Sequence, residues 1–261
     1  SIRKTVISTT NSPYVDDEFD GASTAQWQFL NGNPVDPFNP IPNWNVNTTK
    51  GVLELSSGAH TTAPGGSDIS QSATNQYGES GVIASQNAPA EENFSVYTRV
   101  TPDVFLNASR YRGHGIRVWQ NQNSWAGIKM LKNGNAPGNT GSRNYVEAMF
   151  ESDNNTTRSM HAAYTSPNAT TPAPQYLRVD KRGTQFRISY KFNDADAWIP
   201  TFTHQYPDGW FTLNLNAALG QNLKVQLFTA RPPTTNGVGT VTTSEFDFIR
   251  RIDISDVSDW Q

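Results

Sequence analysis

The chain has 261 residues and a net charge of −3, and hydrophobic and charged residues make up 35% and 16% of it. Its polarity therefore comes mainly from uncharged side chains, while 7 Trp, 9 Tyr and 13 Phe can supply a core. The acidic balance argues against a nucleic-acid partner, and the absence of cysteine excludes disulfides and thiolate metal sites. No stretch approaches the roughly 20 apolar residues of a membrane span, so we expect no membrane insertion.

Period-2 apolar runs bounded by turn residues recur along the chain and predict strands rather than helices. We expect the less regular residues 1–45 to wrap the edge of the folded domain. Twelve strands follow, at residues 51–57, 80–86, 93–102, 113–122, 124–133, 143–152, 159–166, 175–183, 184–193, 210–216, 222–231 and 244–255. Because no linker or repeat interrupts them, the sequence predicts a single all-β domain over residues 1–261, a jelly-roll sandwich of two antiparallel sheets.

Two turns have the composition of tight β-hairpins. In DKRGTQF, Gly183 lies between two alternating strands and can take the positive φ of a short turn. In QNQNSW, asparagines that tolerate positive φ join the strands at 113–122 and 124–133. Each pair of strands is therefore predicted to be antiparallel.

The strand RNYVEAMFES, at 143–152, places two carboxylates on one face. Side chains alternate along a strand, so Glu147, Met149 and Glu151 point the same way. The opposite face carries Val146, Ala148 and Phe150. This pattern predicts that the apolar set faces the core and that the glutamates face a solvated groove.

The neighbouring strand at 113–122 alternates in the same manner. One set of positions contains Ile116 and Val118, whereas the other contains Arg117 and Trp119, a mixture that suits a groove better than a core. Sugar rings have flat apolar faces edged by hydroxyls, and proteins bind them with Trp or Tyr beside polar side chains. The predicted sugar-binding residues are Tyr111, Arg117, Trp119, Trp125, Arg143 and Tyr145.

The order of several segments resembles that of laminarinase-type (family 16) glycoside hydrolases and their concanavalin A-like relatives. The segments are DDEFDG at 16–21 with Trp27 after it, GVIASQ followed by NFSVYTRV, WFTLNLNAALGQN, and EFDFIRRIDI near the end. The hairpin YLRVDKRGTQFRISY also resembles non-catalytic modules of this superfamily that are attached to arabinanases and xylosidases. The resemblance implies a concanavalin A-like sandwich with a concave groove.

The resemblance also implies site residues. The catalytic strand of the hydrolases reads E-x-D-x-E, so EAMFE would make Glu147 the nucleophile and Glu151 the acid/base of a retaining enzyme, with carboxyls about 5–5.5 Å apart. Met149 replaces the middle Asp and can neither carry its charge nor accept its hydrogen bond. One structural Ca²⁺ is implied near the opening motif and the last strand, where Asp20 and Asp247 lie, and no organic cofactor is expected.

Three functions are compatible with these patterns. The favoured one is a non-catalytic, lectin-like domain that binds a polysaccharide or glycan through groove aromatics and amides. The alternatives are a retaining endo-glycosidase of the laminarinase type and a virion or cell-surface structural or adhesion domain that assembles into a larger structure. Since SIRKTVISTT has no apolar signal core, we expect an extracellular or surface-associated protein with its signal removed, or a virion component.

Overall fold

A computed structural model describes residues 14–21, 25–31, 44–57, 82–101, 112–121, 124–133, 143–152, 157–167, 172–215, 222–230 and 242–252. Within these ranges, 15 strands form two antiparallel sheets, and Pro207–Gly209 forms a short 3-10 turn. This architecture confirms the prediction of an all-β jelly-roll sandwich. No helix in the described part of the chain is long and apolar enough to cross a membrane.

Every predicted strand corresponds to a strand of the structure. The strands are β1 Gln28–Asn31, β2 Trp44–Asn47, β3 Val52–Ser57, β4 Val82–Asn87, β5 Phe94–Thr101, β6 Arg112–Asn121, β7 Ser124–Asn133, β8 Arg143–Ser152, β9 Thr157–Thr165, β10 Tyr176–Arg182, β11 Gln185–Lys191, β12 Ile199–Pro200, β13 Phe211–Thr212, β14 Lys224–Ala230 and β15 Thr242–Ile252. The sequence did not predict β1, β2 and β12, which are short. The predicted strand at 210–216 is reduced to the two residues of β13.

The described strands divide between a sheet of seven and a sheet of eight. The first has the order β1-β4-β14-β6-β7-β8-β9, and the second has the order β12-β11-β10-β5-β15-β3-β2 with β13 beside β11. Both predicted hairpins are confirmed, because β6 pairs with β7 and β10 pairs with β11 in antiparallel register. Gly183 closes the second hairpin with a φ of 57°. Residues 122–123, in the turn of the first, lie outside the described residues.

The core lies between the two sheets and follows the predicted alternation. Ile116 and Val118 are buried in it, as predicted for one face of β6. The predicted core face of β8 is also confirmed, with Val146, Ala148 and Phe150 in the same cluster. The other face of each sheet points away from this core. We call it the glutamate face on the seven-stranded sheet, after Glu147 and Glu151, and the arginine face on the eight-stranded sheet, after Arg178 and Arg187.

The DDEFDG motif ties the N-terminal part of the chain to the last strand. Asp17 pairs with Ile249 through two backbone hydrogen bonds of 2.9 and 2.8 Å. Its carboxylate accepts hydrogen bonds from the Phe19 amide at 2.8 Å, Gln26 Nε2 at 2.6 Å and Trp27 Nε1 at 2.7 Å. The motif and the following Trp are therefore one hydrogen-bonded unit. Nothing tests the predicted single domain over 1–261, which stays a prediction.

Candidate functional site

The register of β6, β7 and β8 arranges the glutamate face in rungs of side-by-side residues. Three consecutive rungs are Trp119–Trp125–Glu151, Arg117–Gly127–Met149 and Gly115–Lys129–Glu147. The first rung continues across β14 to Lys224 and across β4 to Asn87. We call this five-residue row the Trp119 rung. It combines two indoles with an amide, an ammonium and a carboxylate.

Glu147 is held by a cation on the neighbouring strand. Lys129 lies directly opposite it on β7, and Lys129 Nζ is 2.7 Å from Glu147 Oε2. The lysine is buried, whereas the glutamate side chain keeps 18% of its surface accessible. The carboxylate is therefore drawn sideways toward β7.

Glu151 is held by an indole on the same neighbouring strand. Trp125 lies opposite it, and Trp125 Nε1 donates a hydrogen bond of 3.2 Å to Glu151 Oε2. Glu151 is only 6% exposed. Trp125 also packs with Ile83, Met149 and Phe228 in a second apolar cluster, separate from the core. The middle of the glutamate face is therefore buried, which corrects the expectation of a solvated groove, since apolar side chains fill the spaces between the polar ones.

The two glutamates are held by different partners. They are four residues apart on one strand, which is the spacing of the E-x-D-x-E pattern, so their Cα atoms are about 13 Å apart. Met149, which is 1% exposed, lies between them, and both carboxylates have their partners on β7. A retaining mechanism needs the two carboxyls about 5–5.5 Å apart. The catalytic roles of Glu147 and Glu151 stay predictions.

The predicted sugar-binding residues only partly come together. Arg117, Trp119 and Trp125 lie on adjacent rungs, whereas Tyr145 shares their face but lies six residues from Glu151, about 20 Å along β8. Arg143 begins β8, and its backbone pairs with Asn133. Tyr111 lies outside the described residues.

Arg117 is packed into the sheet surface rather than extended into solvent. Its Nε donates a hydrogen bond of 2.6 Å to Gln226 Oε1, and its guanidinium carbon is 5.4 Å from the centre of the Phe228 ring. Gln226 Nε2 donates in turn to Ser85 Oγ at 3.2 Å. Arg117 therefore organises the rung next to the indoles.

The two predicted calcium ligands have different surroundings. Asp247 Oδ2 is 2.9 Å from Arg99 Nε, and Asp247 Oδ1 accepts a hydrogen bond of 3.2 Å from Thr101 Oγ1. Asp20 is exposed. Among the described residues, no group of three or more His, Asp and Glu side chains is placed to hold a metal ion. The calcium site stays a prediction, and a cation at Asp247 would compete with Arg99.

The arginine face was not predicted as a site. Asp180 is fully buried there and accepts hydrogen bonds from Arg178 Nε at 2.6 Å and from Arg187 Nε at 3.0 Å. The sequence carries a signal for it, because Arg178 and Asp180 alternate with Leu177 and Val179 in one strand of a predicted hairpin, and Arg182 follows on the same face. Similar alternation places Arg187 and Lys191 on the partner strand. Pairing the two strands brings these charges together.

Two tryptophans pack over the cations of the arginine face. The Trp198 ring centre is 5.3 Å from the Arg178 guanidinium carbon and 4.9 Å from Lys191 Nζ. The Trp210 ring centre is 4.3 Å from the Arg182 guanidinium carbon and 4.8 Å from that of Arg187. Both indoles are partly exposed. Cations are attracted to aromatic faces, so these contacts stabilise the layer.

Comparison with known proteins identifies the fold but no family, since no family model and no curated protein matches the chain. A mutant of the GH43 protein BlXynB from Bacillus licheniformis matches with a TM-score of 0.53 and 14% identity, over 93% of this chain and 41% of that one. A xylan beta-1,4-xylosidase from Bacillus halodurans C-125 matches with a TM-score of 0.53 and 15% identity, over 91% of this chain and 39% of the xylosidase. The CBM2 module of an evolved Dit of Lactobacillus casei BL23 phage J-1 matches with a TM-score of 0.50 and 12% identity, over 92% and 96%.

The chain spans about two-fifths of the length of the two enzymes and nearly all of the phage module. At identities of 12–15%, the similarity shows the shared β-sandwich fold alone. The resemblance to laminarinase-type hydrolases therefore stays a prediction at the level of the family.

Proposed function

We propose that this chain is a carbohydrate-binding β-sandwich domain that recognises a glycan along the Trp119 rung and does not cleave it. The observation that carries this proposal is the state of Trp119. Its indole is partly exposed, whereas its Nε1 atom is buried, so the indole presents an apolar ring surface. A partly exposed aromatic plate suits the apolar face of a sugar ring.

The neighbours of Trp119 add polar groups of several kinds. Lys224 lies next to it on β14 and donates a hydrogen bond to Asn87 Oδ1, and both side chains are partly exposed. Trp125 lies on the other side and fixes Glu151. Sugar hydroxyls act as donors and acceptors, so a row with a partly exposed amide and a partly exposed ammonium can satisfy both.

Two further observations favour binding over cleavage. The partners of Glu147 and Glu151 hold the two carboxylates toward β7, and Met149 stands where the resemblance would place an acid. The similarity to the CBM2 module covers nearly its full length, which fits a chain that acts as a binding domain. The similarity to part of a xylan beta-1,4-xylosidase makes xylan the first ligand to test.

The test is affinity electrophoresis in gels that contain soluble xylan, a β-glucan or another neutral polysaccharide. We expect at least one polysaccharide to retard the parent protein, and we expect Trp119→Ala to weaken that binding about tenfold. Trp44→Ala is the matched control, because Trp44 is 37% exposed on β2, in the other sheet. This substitution should leave the mobility shift unchanged. Equal retardation of the parent and Trp119→Ala would refute this site, and no retardation in any gel would refute the proposed function.

The same polysaccharides, incubated in solution, separate the binding domain from the endo-glycosidase. We expect no reducing ends to appear during incubation with the parent protein. Release of reducing ends that Glu147→Gln abolishes would establish a glycosidase instead, and retention of the anomeric configuration in the product would identify it as the retaining enzyme. A circular dichroism spectrum like that of the parent would show that the variant is folded.

A virion or cell-surface structural domain is the second candidate. The similarity to a module of a phage protein over 96% of that module favours it. This function requires assembly, so light scattering after size-exclusion chromatography should detect a symmetric oligomer. A monomer that binds glycan would exclude self-assembly as the main role. An extracellular or surface location belongs to both candidates and stays a proposal.

A further inference from the structure

The arginine face contains buried hydrogen-bonding groups that lack partners. Two adjacent rungs across β11, β10 and β5 consist of Ser189–Arg178–Tyr97 and Arg187–Asp180–Ser95. Among the described residues, four buried atoms of these rungs have no hydrogen-bond partner: Nη2 of Arg178, Nη2 of Arg187, Oγ of Ser95 and Oγ of Ser189. Guanidinium nitrogens can only donate, so the two long arginine side chains can direct both Nη2 atoms to one acceptor-rich group, and each serine hydroxyl can donate at one side of it.

The charges of the same two rungs do not balance. Arg178 is 1% exposed and Arg187 is 7% exposed, but they share the single carboxylate of Asp180, which is itself fully buried. A buried cation without a counter-charge is costly. Arg182 and Lys191 add positive charge at the two ends, and Asp194, which is exposed, lies 3.4 Å from Lys191. In a chain of net charge −3, this is a local positive centre.

The rim of this centre is aromatic. Trp198 stacks over Arg178 and meets Tyr97 edge-on at 5.8 Å, and Trp210 stacks over Arg187. Trp198 directly follows the exposed residues 193–197. An outward shift of its indole would therefore uncover the Arg178 guanidinium without disturbing the sheet.

We propose that the arginine face binds the anionic group of an acidic polysaccharide, a carboxylate or a sulfate ester. The anion accepts hydrogen bonds from Nη2 of Arg178 and Arg187, with Ser95 and Ser189 beside them, after Trp198 moves outward. The indoles of Trp198 and Trp210 contact the adjoining sugar rings. This site lies on a different sheet from the Trp119 rung and does not depend on it.

The experiment measures binding of polygalacturonate, dextran sulfate and neutral dextran by affinity electrophoresis at low ionic strength. We expect the parent protein to bind at least one polyanion but not dextran, and we expect added salt to weaken that binding. Because the chain is acidic, general attraction to polyanions does not predict this result. Binding of polygalacturonate alone identifies carboxylates as the ligand, and binding of dextran sulfate alone identifies sulfate esters.

Two variants locate the site. Arg187→Lys keeps the charge beside Asp180 but removes Nη2, and it should weaken binding about fivefold. Arg182→Gln removes a partly exposed cation at one end of the centre and should weaken binding as well.

Trp119→Ala is the control, and it should leave polyanion binding unchanged. Failure of the parent protein to bind either polyanion overturns the proposal, as does binding that none of the arginine-face variants weakens. Because neutral glycans are tested through Trp119 and acidic glycans through Arg187, either site can fail while the other stands.

Discussion

The glutamate face and the arginine face both bury charged side chains on the outer surface of a sheet, but they group them differently. On the glutamate face, Lys129 contacts Glu147 and Trp125 contacts Glu151, with apolar Met149 between them. On the arginine face, Asp180 serves two guanidiniums at once. The first arrangement gives each carboxylate its own contact on β7, whereas the second makes two guanidiniums depend on one carboxylate.

This difference predicts which face favours which ligand. The Trp119 rung has a partly exposed indole beside the partly exposed Lys224 and Asn87, which suits the apolar face and hydroxyls of a neutral sugar. The arginine face has unpaired guanidinium nitrogens and an excess of positive charge, which suits an anion. The same sandwich can therefore offer two surfaces of different chemistry, one on each sheet.

The largest expected effect is that of Asp180→Asn. The neutral amide leaves Arg178 and Arg187 buried without a counter-charge, so the free energy of unfolding should fall by about 3–5 kcal/mol. Urea titration monitored by tryptophan fluorescence measures this free energy of unfolding. The matched control is Asp194→Asn. The Asp194 side chain is 83% exposed beside Lys191, so this substitution should lower the free energy of unfolding by no more than about 1 kcal/mol. Equal costs for the two variants would contradict the shared role of Asp180.

Gly115→Ala tests how tightly the glutamate face is packed. A Cβ atom at this position would lie 2.1 Å from Ile128 O and 2.9 Å from the Phe228 ring, so β6 and β7 would have to separate. We expect a loss of about 3 kcal/mol, at the upper end of the usual cost of overpacking, because a backbone atom cannot move aside. Gly21→Ala is the control, since nothing lies within 4 Å of its added Cβ. A loss of less than about 1 kcal/mol would show that the face is loosely packed.

Much of this fold could be predicted from the sequence, because alternation along a strand fixes which side chains share a face. It placed Ile116 and Val118 in the core and Arg117 and Trp119 opposite them. Alternation does not indicate whether the outer face is accessible to solvent. That depends on contacts between strands far apart in sequence, such as Phe228 on β14 against Trp125 and Met149.

The arginine face could not be predicted as a site for a related reason. Arg178, Asp180 and Arg187 belong to one hairpin, so their pairing was accessible from the sequence. The tryptophans that cover them come from the segment after β11 and from the residue before β13. Trp198 could be seen only as an aromatic residue after an acidic loop, because no local pattern indicates where such a segment folds back.

Acid should weaken the seven-stranded sheet through His114, which lies on β6. Burial lowers the pKa of His114 to about 4, below the 6.5 of an accessible histidine. Between these values the unfolded chain binds the additional proton, so stability is fully present above pH 6.5 and is lost as the pH falls toward 4. From pH 7 to pH 5 we expect a loss of about 2 kcal/mol from this residue.

Urea titrations of the parent and His114→Leu at both pH values measure this loss, because leucine removes the titrating group while keeping the site apolar. The variant should lose about 2 kcal/mol less than the parent between pH 7 and pH 5. Burial is also the main cause that lowers the pKa of His161, and the charge of His204 lowers it further. A smaller loss of stability in the same direction therefore remains in the variant. Identical pH profiles for the two proteins would show that His114 does not carry the effect.

The smallest expected effect is that of Glu147→Gln, which neutralises a carboxylate on the glutamate face as Asp180→Asn does on the arginine face. Glu147 is paired with the single cation Lys129 and keeps part of its surface in water, and glutamine retains an oxygen that can accept from the same ammonium. We expect a loss of about 1 kcal/mol in urea titration, near the net value of one hydrogen bond. A loss as large as that of Asp180→Asn would show that the partial exposure of Glu147 does not reduce the cost of leaving the buried Lys129 without a counter-charge.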